Sequence, residues 1–95
     1  MFKNKILLIT GGTGTFGNAV LKRFLNTEIK EIRVFSRDEK KQEDLRIFLA
    51  NPKVKFFIGD VCNLDSILLA MQDVDYVFHA VALNQAGAFL RIFSY

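Results

Sequence analysis

The segment Ile6-Leu7-Leu8-Ile9-Thr10-Gly11-Gly12-Thr13-Gly14-Thr15-Phe16-Gly17 limits what this chain can fold into more than any other. A short apolar run meets glycines at positions 11, 14 and 17, and then a stretch whose apolar residues recur at helical spacing. A buried strand, a tight turn and a helix are what such residues dictate. Gly11 lets the chain turn off the strand, and Gly14, lacking a Cβ, lets the backbone approach a ligand. Gly17 lets the helix pack closely on the sheet. Free N–H groups and the helix dipole at this turn favour a phosphate. The threonine hydroxyls can add hydrogen bonds. The candidate cradle is therefore Gly11, Thr13, Gly14, Thr15, Phe16 and Gly17. The same glycines also suit a turn without a ligand, and only the surrounding pattern separates the two.

That pattern is an alternation of short apolar runs with longer amphipathic ones. Lys5–Thr10 reads as a strand, and Thr15–Asn26 as a helix with Phe16, Val20, Leu21, Phe24 and Leu25 at helical spacing. Glu31–Phe35 is a second strand. Asp38–Ala50 is a charged helix with Leu45, Phe48 and Leu49 as its apolar stripe, stopped by Asn51-Pro52. Val54–Ile58 is a third strand, Leu64–Met71 a helix capped by Asn63 or Asp65, and Asp75–His79 a fourth strand. Ala80–Leu83 reads as strand end and loop. Ala88–Tyr95 is apolar with one Arg and fits helix or strand equally. The alternation predicts an α/β protein: a Rossmann-type parallel sheet in the order 3-2-1-4, with right-handed crossovers and helices on both faces. Four strands make half of such a fold.

Composition excludes several other classes. Half of the 95 residues are apolar, ten of them Phe, which is enough for a core. The net charge is +3 and its Lys and Arg residues are scattered, so neither nucleic acid nor an anionic membrane is an expected partner. A single cysteine, Cys62, cannot form an internal disulfide, and it has no His or Cys neighbour at metal-ligand spacing. No metal site is expected. The basic start followed by Ile6–Ile9 superficially suggests a leader, but the apolar run is short and has no small-residue cleavage site. No run approaches the roughly 18 apolar residues of a membrane span. A soluble cytoplasmic protein is expected.

Three further stations follow the strand ends. Ser36-Arg37-Asp38-Glu39 comes about 20 residues beyond the loop, where adenosine-ribose recognition belongs in a dinucleotide fold. An NAD site places a carboxylate directly at the strand end; here that place holds Ser36, then Arg37. The Arg37 fork can pair with a 2′-phosphate and stack on adenine, and Lys40 or Lys41 can add charge. NADP(H) is the expected cofactor. Asp38 dissents and equally suits an N-cap of the next helix, and the run Ser36–Lys41 also reads as a solvated helix start. Gly59-Asp60-Val61 follows the third strand, and Asp60 also fits a turn cap. His79-Ala80-Val81-Ala82 ends the fourth, where small residues let a ribose approach the backbone. His79 reads as a packed strand-end residue rather than a general base.

Taken together these strings resemble the extended short-chain dehydrogenase/reductase family. Within it they are similar to the bacterial UDP-N-acetylglucosamine 4,6-dehydratases of capsule, O-antigen and flagellin-sugar pathways. The strings are Leu8–Gly17, Ser36-Arg37-Asp38-Glu39, Phe56-Phe57-Ile58-Gly59-Asp60-Val61 and Phe78-His79-Ala80, over residues 3 to about 83. The resemblance implies that Asp60 and Val61 hold adenine and that Ala80 lies near the ribose. It implies residues 1–83 as an NADP-binding half-domain and 84–95 as a divergent tail. The chain departs from the family at Cys62, where Arg is usual, at Val81, where Ala is usual, and at Asn84, where Lys is usual; Gln85–Tyr95 does not continue the pattern. The family's catalytic Tyr, Lys and acidic residues lie further downstream, as does its sugar-binding domain. Tyr76 and Tyr95 have no Tyr-x-x-x-Lys setting, so no catalytic residue is assigned. A UDP-sugar is a partner only of the full-length family; for this chain, self-association into a homo-oligomer through the open edge of the fourth strand is the expectation unless Ala88–Tyr95 folds back over it.

Several readings stay open. The chain is the cofactor-binding portion of a nucleotide-sugar 4,6-dehydratase, inactive alone. Alternatively it belongs to an epimerase or reductase of the same superfamily, or is a non-catalytic NADP-binding module, or a truncated product without activity.

Overall fold

The structure, a computed structural model, describes residues 2–11, 13–83 and 87–94, of which 15, 16, 80–83 and 87–94 are described by their backbone alone. Five strands and three helices alternate: β1 (Ile6–Thr10), α1 (Thr15–Leu25), β2 (Glu31–Ser36), α2 (Glu39–Leu49), β3 (Val54–Ile58), α3 (Leu64–Met71), β4 (Tyr76–Leu83) and β5 (Gly87–Ser94). They form one sheet in the order β3-β2-β1-β4-β5. The first four strands are parallel, in the expected order 3-2-1-4.

β1 is central because all five of its residues can be buried on both faces. Leu7 and Ile9 point to one face, packing with Ile32, Val34, Phe78, Leu21 of α1 and Leu45 of α2. Ile6 and Leu8 point to the other, with Phe35, Val77, Ala70 of α3 and Val74. This period-two division puts α1 and α2 on one side of the sheet and α3 on the other.

The helix ends follow from local chemistry. Asp38 caps α2, its carboxylate accepting from the Lys41 N–H at 2.9 Å. Asn63 caps α3, accepting from the Ser66 N–H at 3.3 Å. At the other end of α3, Arg33 of β2 donates to the carbonyls of Ala70 (2.8 Å) and Gln72 (2.6 Å). The cation thus satisfies carbonyls left open where a helix stops, at the negative end of its dipole. α2 ends ahead of Asn51-Pro52 at Ala50, which takes a left-handed conformation (φ 45°).

Two expectations need revision. The apolar stripe of α2 runs through Gln42, Leu45 and Leu49, whereas Phe48 is 73% exposed, with the Lys22 ammonium over its ring. α2 is rotated so that Gln42, Leu45 and Leu49 face the sheet, which leaves Phe48 on the outer flank. The fourth strand does not end at His79 but runs to Leu83, and residues 87–94 pair with it antiparallel, from Tyr76 opposite Ser94 to Leu83 opposite Gly87. A strand edge offers unpaired N–H and C=O groups, and the apolar run 87–94 satisfies them.

Candidate functional site

The carboxyl ends of β1, β2, β3 and β4 open onto one cleft of about 390 Å³. It is lined by Thr10, Gly11, Phe35, Ser36, Arg37, Gly59, Asp60, Val61, Cys62 and His79. The cleft lies where the strand order reverses: β2 and β3 extend from one side of β1, β4 from the other. Ligands of open α/β sheets bind at such switch points, because crossover helices leave on opposite faces and the loops separate.

Of the described residues of the glycine loop, Gly11 lines the cleft. Gly11 has φ 72°, a conformation that disfavours any side chain, and its N–H donates to the Phe35 carbonyl at 2.9 Å. Gly14 is the N-cap of α1, with ordinary extended φ −83° and no side-chain cap. Among the described residues, a Cβ at Gly14 would meet only the Gly11 carbonyl oxygen, at 3.5 Å, an ordinary contact. The fold therefore does not itself require glycine there, and the space beside it suits a phosphate approaching the backbone. Gly17 is buried within α1. α1 also lacks an acidic residue in its first turn, while Asp38 and Asn63 cap the other two helices. An anion is the complement that this helix end does not provide for itself.

Ser36 and Arg37 form one wall. The Arg37 guanidinium pairs with the Asp60 carboxylate, Nη1 to Oδ2 3.7 Å, with Arg37 79% exposed. Asp60 also accepts from the Cys62 N–H at 2.9 Å, which folds the turn after β3 and brings Val61 and Cys62 to the cleft. Gly59 allows that turn to lie against the sheet. A Cβ there would come within 2.8 Å of the Phe35 ring and of Ser66. On the β4 side, Thr10 and His79 stand opposite each other in register and are hydrogen-bonded, Oγ1 to Nδ1.

The structure thus brings together Gly11, Ser36, Arg37, Asp60 and Val61. Asp38 is the α2 cap, with its carboxylate turned to the helix, and Lys40 pairs with Asp44 at 3.3 Å one turn along. Glu39 and Lys41 are exposed in the first turn of α2. Thr13 is half-buried in the loop. The side chains of Thr15, Phe16 and Ala80, and all of Asn84, Gln85 and Tyr95, lie outside the described residues. Among the described residues, no group of three His, Cys, Asp or Glu side chains is placed to hold a metal ion, and no helix is long and apolar enough to cross a membrane.

Sequence reasoning passed over Gln42. Its side chain is 3% exposed and its amide nitrogen donates to Ser36 Oγ at 2.9 Å and to the Phe57 carbonyl at 2.8 Å. The available signal was its spacing: the one uncharged polar residue of the first two turns of α2 falls on the stripe of Leu45 and Leu49. Cys62, read as a bystander, lines the cleft.

Comparison with known proteins adds a lineage to this geometry. A family model described as polysaccharide biosynthesis protein matches residues 7–89. A UDP-glucose 4-epimerase of Rickettsia bellii is 71% identical over 89 residues, which cover 90% of this chain and 26% of that protein. Among solved structures, Pen from Bacillus thuringiensis matches with a TM-score of 0.83 at 41% identity, over 90% of this chain and 27% of Pen. The Bordetella bronchiseptica enzyme WbmF, solved in complex with NAD+, matches with a TM-score of 0.63 at 26% identity, over 83% of this chain and 24% of WbmF. The chain spans about a quarter of the length of the curated relatives it matches.

Proposed function

The chain belongs to the polysaccharide biosynthesis protein family, with its short-chain dehydrogenase/reductase fold, and from that membership we propose that it is the dinucleotide-binding portion of a nucleotide-sugar-modifying enzyme and that it reads NADP(H). The observation that supports this most is convergence. Gly11, Ser36-Arg37 and Asp60-Val61, far apart in sequence, line one cleft at the switch point of the sheet.

The residues divide the cofactor among them. The N–H groups of the Gly11–Gly17 loop, with the hydroxyls of Thr13 and Thr15, take the pyrophosphate, and Gly14 gives it room. Ser36 and Arg37, aided by Lys40 or Lys41, take the 2′-phosphate. Asp60 and Val61 hold adenine, and Ala80 leaves space for the second ribose. No carboxylate stands at the end of β2 to accept from ribose hydroxyls, which favours NADP(H) over NAD(H). A bound nicotinamide supplies reversible hydride acceptance at a sugar carbinol carbon, the chemistry that inversion at C4 and 4,6-dehydration share.

For the whole enzyme, the strings around Ser36 and Phe56–Val61 favour a UDP-N-acetylglucosamine 4,6-dehydratase in surface-polysaccharide synthesis. The second reading, a UDP-sugar 4-epimerase, is favoured by the name of the 71% identical relative. Titration with NADPH and NADH tests the cofactor assignment: NADPH should bind at least tenfold more tightly, and equal affinities would end it. A chimera with residues 1–83 in place of the matching segment of the Rickettsia bellii relative tests the role. It should turn over a UDP-sugar; a folded chimera that binds no dinucleotide would refute it.

A further inference from the structure

Gln42 is the most buried polar side chain of α2, at 3% exposed, in a helix whose other first-turn residues are charged and in water. An apolar side chain of the same length would fill the space between α2 and the sheet without the desolvation an amide suffers, so packing alone does not account for it. Its hydrogen bonds do. The Phe57 carbonyl can only accept, so the amide group facing it is NH2, and its orientation is fixed. One amide hydrogen goes to Phe57 and the other to Ser36 Oγ at 2.9 Å. Ser36 is also held through its backbone, its carbonyl accepting from the Gly59 N–H at 3.0 Å.

A serine hydroxyl has one hydrogen to give. Gln42 takes one of the two acceptor sites of the Ser36 oxygen and does not use the hydroxyl hydrogen, and Ser36 lines the cleft beside Arg37. We infer that Gln42 is a specificity-determining positioning residue: its buried amide occupies one of the two acceptor sites of the Ser36 hydroxyl and leaves its hydrogen free for the cleft, so that Ser36 and Arg37 together present donors that favour a phosphate on the adenosine ribose. A phosphate dianion accepts only, and matches donors from both Ser36 and Arg37. The inference rests on the NADP(H) reading of the same cleft.

A double-mutant cycle on the 95-residue chain tests it, following backbone amide shifts during titration with NADPH and with NADH to millimolar concentration. Gln42→Met should weaken NADPH about tenfold, the scale of one charge-assisted hydrogen bond, and NADH less than twofold. Ser36→Ala should do the same, and the double variant should lose no more than either alone. Equal losses on both cofactors would reduce Gln42 to a structural part, and additive losses would break its link to Ser36; either overturns the inference. If Gln42→Met does not fold, Ser36→Thr against Ser36→Ala decides. The hydroxyl-bearing variant should keep the NADPH preference and the other lose it, and a preference kept by both overturns the inference. Wild-type chain that binds both cofactors equally overturns the NADP(H) reading and, with it, the selectivity assigned to Gln42. Binding of neither cofactor overturns both.

Discussion

Arg37 Nη1 stands 3.7 Å from Asp60 Oδ2, joining the turn after β2 to the turn after β3 across the mouth of the cleft. Both partners are solvated, so the pair adds little to stability. Its importance is competitive, because a 2′-phosphate and the Asp60 carboxylate seek the same guanidinium. Arg37→Ala should weaken NADPH by about 1.5–3 kcal/mol and NADH little. Equal losses on the two cofactors in isothermal titration would remove Arg37 from the phosphate site.

Asp60→Asn should act in the opposite sense. The amide keeps an acceptor for the Cys62 N–H but no longer repels a phosphate or occupies Arg37. The ratio of NADPH to NADH affinity should rise about fivefold, roughly 1 kcal/mol, and the gain should shrink in high salt. An unchanged ratio would mean that the pair opens without cost.

Gly14→Ala should separate folding from binding. Among the described residues the added methyl meets only the Gly11 carbonyl, at 3.5 Å, and φ −83° is open to any residue. Melting temperature should hold, while dinucleotide affinity falls at least tenfold because the methyl occupies the approach to the pyrophosphate. A well-folded variant with undiminished affinity would place the phosphates elsewhere.

Arg33→Met should destabilise the fold without touching the cleft. The side chain of Arg33 is 12% exposed; it bonds Glu31 at 2.6 Å and caps the last carbonyls of α3. Losing these charge-assisted bonds should cost about 2–3 kcal/mol in urea denaturation. A change below about 0.5 kcal/mol would show that water replaces the guanidinium.

The 95-residue chain alone should not convert UDP-N-acetylglucosamine to a 4-keto-6-deoxy sugar. Proton transfer needs an aligned acid or base in contact with the sugar. His79 is engaged with Thr10, and Tyr76 is packed on the core at the opposite end of β4. Product detected by mass spectrometry would require a catalytic group among these residues.

Local periodicity was enough to read the parallel order of the first four strands, because each helix and strand there carries its own pattern. The glycine loop and the Ser36-Arg37 station were legible for the same reason: they lie within a few residues of a strand end. What was not legible depends on partners distant in sequence. Residues 87–94 have no period of their own and become a strand only against β4. Phe48 fits a helical stripe as well as Leu49 does, and only the sheet beneath α2 decides between them. Gln42 looks like one more surface residue until Phe57 and Ser36 arrive, and the Thr10–His79 contact exists only once β1 meets β4.

That meeting has a consequence for how the chain is made. β1 finds β2 within the next thirty residues or so, but its other neighbour comes much later: Ile6 is clamped by the Asp75 carboxylate across 69 positions. At a synthesis rate of roughly 5–20 residues per second, one side of β1 waits several seconds on the ribosome with nothing to pair with. Ile6–Ile9 are among the most buried of the described residues once folded, so during that interval they expose apolar surface. Docking of β4 then ends the exposure of β1 and passes the open edge on to β4, until 87–94 pair with it.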